Sequence, residues 1–188
     1  MTPPPPDLFT GAVDTSWGPV TVTVGVRGVW QCDLPSPPRH LAGHPPVVHG
    51  LQAPPDSPVL LREALAFVHA AIEGRATGNG PAVHPAIFSG ATPFQQAIWR
   101  ALQRIPCGTI QTYGEVARQA GRPRAVRAAG GACGANPLPL FIPCHRVVAA
   151  NGRLGGFSSG LGWKQWLLAV EGSLPTTLPN PFGRREPR

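Results

Sequence analysis

The chain has 188 residues, of which 42% are hydrophobic, 7% aromatic and 13% charged, and its formal net charge at pH 7 is +7. That length suffices for one large or two small domains, each with a core. No apolar run reaches the roughly 18 residues of a membrane span, and no basic stretch followed by an apolar signal core opens the chain. The four cysteines form no CxxC pair. We therefore expect a reduced, intracellular, cytoplasmic protein in which three of the four thiols are inert.

Positive charge is concentrated in the second half of the chain. Residues 1–91 carry 4 arginines and 6 acidic residues, whereas residues 92–172 carry 9 basic and 2 acidic residues. The second half is therefore a candidate binder of polyanions. Residues 173–188 add a net charge of +2 and are predicted to be a disordered basic tail. Lys164 is the sole lysine among 16 basic residues, which is typical of a GC-rich coding bias.

The N-terminal part predicts a small α/β domain over residues 10–87. Residues 1–9 include four consecutive prolines and are predicted to be a disordered tail. Valines then alternate with threonine and glycine over residues 20–26, the period of a half-buried strand. Gly28–Asp33 can return beside this strand as the second half of a hairpin. A helix is predicted from about Val59 to Glu73.

Residues 35–58 are predicted to be a proline-rich connection, and they hold His40, His44 and His49. Together with Cys32, these histidines offer the donor types that zinc accepts. Their spacing is irregular and is interrupted by two prolines, whereas metal ligands need a fixed scaffold. We interpret them as solvated loop histidines and expect no metal site.

The C-terminal part, residues 88–172, is predicted to be a mostly helical domain. Residues 84–90, near the boundary, predict an extended segment or a loop. A threonine–proline pair at residues 92–93 caps the next helix. Two further helices, at residues 112–121 and 123–133, are joined by a short turn that contains glycine. This arrangement is typical of a helix-turn-helix that docks on DNA.

The second helix of this pair has an unusual composition. Alanine and glycine leave it nearly bare, and Arg122, Arg124 and Arg127 interrupt them. Small side chains suit tight helix packing inside a protein as well as close approach to another molecule. Because burying three unpartnered guanidinium groups is costly, a nucleic-acid surface is favoured over the packing alternative.

Cys144 is the candidate nucleophile. It lies in the apolar segment Phe141–Val148 and is followed directly by His145 and Arg146. A thiol reacts as its thiolate, and a neighbouring imidazole or positive charge lowers its pKa. The prolines of residues 136–140 predict extended chain before it, and successive side chains of extended chain point to opposite faces. From this segment alone, a buried core cysteine is an equal alternative.

Two later features bear on Cys144. A glycine-rich loop at residues 151–160 is flexible enough to close over a ligand, although it lacks the Lys-Ser/Thr ending of a phosphate loop. A last helix is predicted over Leu161–Glu171. Glu171 at its C-terminal end is unfavourable to the helix dipole. A partner for this carboxylate is therefore expected, and His145 is the candidate.

The order of these motifs closely resembles the O6-alkylguanine-DNA alkyltransferases. The resemblance is carried by Pro143-Cys144-His145-Arg146-Val147, by Asn136-Pro137 before it, and by Leu167-Leu168-Ala169-Val170-Glu171-Gly172 after the glycine-rich loop. It is strong from about residue 94 to residue 172. For the fold, the resemblance implies an α/β, ribonuclease H-like N-terminal domain and a mostly α C-terminal domain with a winged-helix-like helix-turn-helix.

The resemblance also implies a reaction. Cys144 would take the alkyl group of O6-alkylguanine in duplex DNA as a thioether, in one irreversible turnover, with O4-alkylthymine as a further candidate substrate. His145 would polarise Cys144 through a water, and Glu171 would orient His145. Tyr113 would donate a hydrogen bond to the departing guanine, and Asn136 would brace the active-site segment. No cofactor is implied, and the partner of the protein, expected to be a monomer, is double-stranded DNA.

The same resemblance assigns the contacts with DNA. The alkylated base would be flipped out of the duplex, and Arg127 would fill the space that it leaves. The recognition helix would enter the minor groove, where little sequence readout is expected. The other residues assigned are Tyr113, Gly114, Arg122, Ala125, Ala128 and Gly130 for DNA, and Val147, Phe157 and Ser158 for the base pocket.

Two other functions fit parts of the pattern. A non-catalytic lesion-binding or regulatory helix-turn-helix protein would explain the helix pair, although alkyltransferase-like binders have another residue in place of the cysteine. A Cys/His hydrolase would explain Cys144 and His145. It would give no reason for the bare, arginine-bearing helix.

Overall fold

A computed structural model describes residues 7–41 and 43–174 of the chain. Most of the two predicted tails therefore lies outside the described residues. The N-terminal part is a four-stranded antiparallel sheet, whose strands are β1 (Phe9–Thr15), β2 (Val20–Gly25), β3 (Gly28–Asp33) and β4 (Val48–Gln52), in the spatial order β3-β2-β1-β4. Helix α1 (Val59–Ile72) packs on one face of this sheet. The predicted hairpin is confirmed by the pairing of β2 with β3, and the predicted long helix is confirmed by α1.

Strands β1 and β4 were not predicted from the sequence. The predicted tail boundary at residue 9 is wrong because β1 begins at Phe9, and the proline-rich connection contains β4. The two strands pair with each other, with Val13 opposite Leu51. Gly11 occupies a buried position of β1, where a Cβ would lie 2.8 Å from Leu65 of α1. The glycine thus lets the helix approach the sheet closely.

The C-terminal part is built mainly of helices around a small parallel strand pair. Its elements are α2 (Pro85–Ser89), α3 (Pro93–Leu102), β5 (Gln111–Thr112), α4 (Tyr113–Gln119), α5 (Val126–Gly134), β6 (Val147–Val148) and α6 (Leu161–Val170). Strands β5 and β6 pair in parallel, which sets the start of α4 beside the segment that follows Cys144. Thr92 and Thr112 each begin a helix with a capping box, so the predicted cap at residues 92–93 is confirmed.

Two predicted boundaries are corrected. Residues 84–90 are not extended, because the His84 side chain accepts a hydrogen bond from the Ala86 amide and Pro85 occupies the first helical position of α2. The helix predicted from residue 123 begins at Val126. The amide of Ala125 donates to the carbonyl of Arg122 at 2.9 Å, which makes a turn of the intervening residues.

One buried apolar cluster runs through both parts of the molecule. Helix α6 ties the parts together, because the indole of Trp163 donates to the carbonyl of Pro35 at 2.6 Å and that of Trp166 to the carbonyl of Ile72 at 2.8 Å. The end of α6, where Glu171 follows, is thereby fixed against α1. Within the two described ranges, every helix is too short or too polar to cross a membrane.

Candidate active site

A pocket of about 600 Å³ opens between the helix pair α4–α5 and the glycine-rich loop. Its wall is made of small, apolar and basic residues from these elements together with the predicted nucleophile. The lining residues are Tyr113, Val126, Arg127, Gly130, Cys133, Gly134, Cys144, Gly156, Phe157 and Ser158. The structure therefore brings predicted site residues from four separate segments to one cavity.

The segment before Cys144 is folded, and the predicted extended chain at residues 136–140 is wrong. Asn136 Oδ1 accepts a hydrogen bond from the Leu138 amide at 3.0 Å, and its Nδ2 donates to the carbonyl of Ile142 at 2.7 Å. Leu140 has a φ of +75°, unusual for a residue with a side chain. Prolines exclude helix here but suit turns, and Asn136 holds the resulting turn together.

Cys144 begins a 3-10 turn, Cys144–Arg146, instead of continuing an extended strand. Its side chain is only 6% exposed, yet it lines the pocket. The Asn136 amide donates to its Sγ at 3.1 Å. Burial and access to a cavity thus coexist at this thiol, and His145 and Arg146 lie buried behind it.

Glu171 receives the side chains of both residues that follow Cys144. Its Oε1 lies 3.0 Å from His145 Nε2 and 2.8 Å from Arg146 Nη2, while Arg146 Nε reaches Oε2 at 3.0 Å. The expected contact between His145 and Glu171 is confirmed. Arg146 was predicted as a positive neighbour of Cys144, and its guanidinium instead pairs with Glu171 and donates to Asn79 Oδ1 and the Ile105 carbonyl.

The charge states of this cluster follow from its contacts. Burial raises the pKa of Glu171, but the hydrogen bonds from His145 and Arg146 outweigh it and lower the pKa to about 2. Burial lowers the pKa of His145 and Glu171 only partly offsets this, so the imidazole is neutral at pH 7. Its Nε2 then donates to the carboxylate. Its buried Nδ1, which has no partner in the described part of the protein, is left as a proton acceptor.

Lys164 was not among the predicted site residues. It is fully buried, and its Nζ donates to the carbonyl of Val147 at 2.6 Å and lies 5.8 Å from the centre of the Tyr113 ring. Burial lowers its pKa to about 8, against the opposing influence of the nearby thiols. One signal for it was present in the sequence, since a single lysine among 15 arginines marks a position where a guanidinium does not fit.

Lys164 is the positive charge that acts on Cys144. Burial raises the pKa of this thiol, whereas the hydrogen bond from Asn136 and the ammonium of Lys164 lower it. Both groups favour the thiolate, which is the reactive form.

Tyr113 stands at the start of α4 with its ring against the pocket. A Cβ on Gly155 would lie 2.6 Å from its hydroxyl, and Gly155 has a φ of +70°. The glycine-rich loop can therefore pass directly over the tyrosine only with glycine at this position. Burial raises the pKa of Tyr113 to about 12, which keeps the hydroxyl protonated and able to donate.

Helix α5 combines the two interpretations that its composition allowed. Its buried face, with Ala129 and Ala132, packs inward, and the indole of Trp99 donates to the carbonyl of Ala132 at 2.8 Å. Ala128 and Arg127 are exposed on the other side. The bare composition therefore serves tight packing on one face and leaves the opposite face accessible.

The remaining predicted residues are distributed as follows. Arg122 is exposed, and Gly114 and Ala125 are partly buried; all three belong to the helix pair but not to the pocket wall. Val147 is fully buried behind the pocket, where its carbonyl accepts from Lys164. Phe157 and Ser158 are part of the pocket wall.

Within residues 7–41 and 43–174, no three His, Cys, Asp or Glu side chains lie together in a group that could hold a metal ion. His40, His44 and His49 are exposed on the connection before and within β4.

The C-terminal part of the chain is similar to known proteins. Residues 93–173 match the family model of the 6-O-methylguanine DNA methyltransferase DNA-binding domain. A methylated-DNA–protein-cysteine methyltransferase of Salmonella typhimurium is 52% identical over 86 residues, which are 46% of this chain and 50% of that protein. The chain thus spans about half the length of this relative.

Two further comparisons cover most of the chain. A methylated-DNA–protein-cysteine methyltransferase of Cricetulus griseus is 36% identical over 159 residues, 82% of this chain and 74% of that protein. The crystal structure of Mycobacterium tuberculosis OGT in complex with DNA is 31% identical, with a TM-score of 0.65 over 86% of this chain and 91% of that one. The fold of this chain, an N-terminal sheet domain followed by a C-terminal helical domain, therefore matches that of the OGT structure. Because the chain is 36% identical to the Cricetulus griseus protein and covers 74% of it, the chain belongs to the family of the methylated-DNA–protein-cysteine methyltransferases.

Proposed function

We propose that the protein repairs DNA by transferring an alkyl group from O6 of guanine to Sγ of Cys144. One observation carries this proposal: the thiol lines a pocket of about 600 Å³ whose wall also includes Arg127 of the exposed face of α5. A base turned out of a duplex that lies on α5 would enter this pocket and meet the thiol. The names of the relatives support the same reaction.

The reaction is a displacement at carbon. The Cys144 thiolate forms an S–C bond to the alkyl carbon while the C–O6 bond breaks and guanine departs. The thiol proton passes through a water to Nδ1 of neutral His145, which Glu171 holds by Nε2. Tyr113, kept protonated by its raised pKa, donates to the departing guanine.

The product explains why each molecule acts once. A thioether offers no good leaving group, so nothing restores the thiol of Cys144. The protein is consumed with one alkyl group bound. No cofactor takes part, because the acceptor belongs to the chain itself.

The DNA partner is recognised by the helix pair. Arg122 and Arg127 are exposed and basic, and Ala128 leaves the surface of α5 bare enough for a minor groove. The rest of this surface, including the part that borders the pocket, is formed by Tyr113, Gly114, Ala125 and Gly130. Arg127 takes the place of the flipped base, whose unstacking costs a few kcal/mol.

The finer features of the family are part of the same proposal. The N-terminal domain, residues 10–87, is ribonuclease H-like, and the helix pair belongs to a winged-helix-like C-terminal domain, residues 88–172. The carbonyl of Val147 and the side chain of Ser158 read the edge of the base, and Phe157 packs beside it. O4-alkylthymine is a further substrate, and the protein acts as a monomer in the cytoplasm, on the nucleoid when bound.

One experiment tests the function. The protein is incubated with duplex DNA that carries O6-methylguanine, and the masses of the intact protein and of its peptides are measured by mass spectrometry. We expect one methyl group per protein, on Cys144, and none in Cys144→Ala. Binding without a change in mass would replace this function with non-catalytic lesion binding, and repeated turnover of an ester or amide would replace it with hydrolysis.

A further inference from the structure

The pocket contains a second thiol that the proposed transfer does not use. Cys133 on α5 and Cys144 both line the cavity of about 600 Å³. The other two cysteines are placed differently: Cys32 is a buried residue of β3, and Cys107 is not part of the pocket wall. Cys133 therefore belongs to the buried core and also faces the pocket.

Lys164 acts on both pocket thiols. Its ammonium lowers the pKa of Cys133 and of Cys144, while burial and the charge of Cys144 raise the pKa of Cys133 to about 12. Cys144 has the additional hydrogen bond from Asn136, which favours its thiolate. Once Cys144 is a neutral thioether, its opposing charge is gone and the ammonium acts on Cys133 alone. The order, with Cys144 first and Cys133 second, follows from the proposed function, in which Cys144 receives the alkyl group.

We propose that Cys133 is a second acceptor, used when the transferred alkyl group itself carries a leaving group, as in O6-(2-chloroethyl)guanine. This inference rests on the proposed function, because its first step is the transfer to Cys144. Both thiols line one cavity and the charge of Cys144 acts on Cys133, which is the arrangement that an alkyl bridge between them requires.

The chemistry balances without an oxidant or a reductant. The Cys144 thiolate displaces guanine and becomes a 2-chloroethyl thioether. The thioether sulfur then displaces chloride within its own side chain, which gives a three-membered sulfonium ring. The Cys133 thiolate opens this ring at carbon, its proton having passed to solvent. The product is one ethylene bridge between the two sulfur atoms, one guanine and one chloride ion.

The bridge would remove a reactive group from the repaired site. A 2-chloroethyl thioether is an alkylating agent, and on Cys144 it would be held against the DNA that has just been repaired. Groups held in one site react as if at very high concentration, up to an effective molarity of roughly 10⁵ M or more in well-oriented cases. Cys133 would therefore capture the reactive arm before DNA does.

The test uses the full chain and a duplex that carries freshly prepared O6-(2-chloroethyl)guanine, with an O6-methylguanine duplex in parallel. The tryptic peptide over residues 128–146 contains both pocket cysteines. In the bridged product this peptide is lighter than the chloroethyl form by one HCl, and its two halves stay joined after chymotryptic cleavage at Phe141. After denaturation, an alkylating reagent should label two fewer thiols per chain when the protein has reacted with the chloroethyl duplex. It should label one fewer when the protein has reacted with the methyl duplex.

Every other outcome is decisive. A hydroxyethyl or chloroethyl group on Cys144 with Cys133 still free, or Cys144 joined to DNA, overturns the inference and leaves the transfer standing. Methyl transfer without chloroethyl transfer also overturns it. A failure of both duplexes to modify Cys144 removes the proposed function and this inference together.

Two variants sharpen the assignment. Cys133→Ser should not form the joined peptide, and Cys144 should instead carry a hydroxyethyl group or a link to DNA. Methyl transfer by the same preparation serves as the reference. Cys32→Ala, a buried cysteine away from the pocket, should retain the joined peptide. If Cys133→Ser does not fold, the peptide map of the natural chain still decides.

Discussion

The side-chain amide of Asn136 donates a hydrogen bond of 3.1 Å to Sγ of Cys144. The same side chain closes the turn before the thiol through Leu138 and Ile142. One residue therefore fixes the position of the thiol and also favours its ionised form. Burial opposes that ionisation, so the thiol depends on the groups that counter it.

Asn136→Ala should slow methyl transfer by about 10- to 100-fold, because a hydrogen bond to a charged group contributes about 1.5–3 kcal/mol. The measurement is the single-turnover rate across pH, in which the rise due to thiol ionisation should move to higher pH. Asn151→Ala is a matched control, since Asn151 is exposed in the glycine-rich loop. An unshifted profile in Asn136→Ala would show that the hydrogen bond only holds the turn.

Lys164→Met should also slow transfer, by about 10-fold for each unit by which the pKa of Cys144 rises. In the natural chain, the rate should increase as the thiol ionises and then stop increasing above about pH 8, where the ammonium loses its proton. Lys164→Met should lack this upper limit. Lys164→Arg should not rescue the rate, because the site is fully buried and shaped for an ammonium. Identical profiles for the natural chain and Lys164→Met would contradict the electrostatic role.

Glu171→Gln should lower the free energy of unfolding at pH 7 by about 3 kcal/mol, because it leaves the buried guanidinium of Arg146 without a charged partner. The pKa of Glu171 is about 2 in the folded protein, below its ordinary value. The stability that it contributes is thus present above about pH 4.5 and lost as the pH falls towards 2. Urea unfolding at pH 7 and at pH 3 should show a smaller difference between the natural chain and the variant at the lower pH.

The control for this prediction is Glu63→Gln. Glu63 is exposed on α1, and surface substitutions away from special features change stability by less than about 0.5 kcal/mol. A loss in Glu171→Gln no larger than that of Glu63→Gln would mean that the ion pair with Arg146 is balanced by the cost of burying it.

The regular parts of this fold were predictable because local patterns define them. The alternating valines of β2, the capping threonines of α3 and α4 and the glycine at the end of α4 each act within a few residues of sequence. Strands β1 and β4 were not predicted, since β1 depends on a glycine that meets Leu65 and β4 is a short edge strand. Their pairing is decided by tertiary contacts.

The same distinction holds at the site. Cys144, His145 and Glu171 carry a chemical signature, and the contact expected between His145 and Glu171 is present. The positions of Arg146 and Lys164 were missed because each depends on elements far away in the chain. Arg146 reaches Asn79 across 67 positions of sequence, and no local pattern announces such a contact.

Arg127→Ala should slow repair of duplex DNA by about 10-fold or more, because flipping a base costs a few kcal/mol that the inserted side chain helps to offset. Repair of O6-methylguanine as the free base needs no flipping, and its rate should change little. Arg27→Ala removes the same charge from the exposed turn between β2 and β3 and controls for long-range attraction to DNA. If Arg127→Ala slows repair of the duplex and of the free base by the same factor, Arg127 shapes the pocket that it lines. Another group must then fill the space that the flipped base leaves in the duplex.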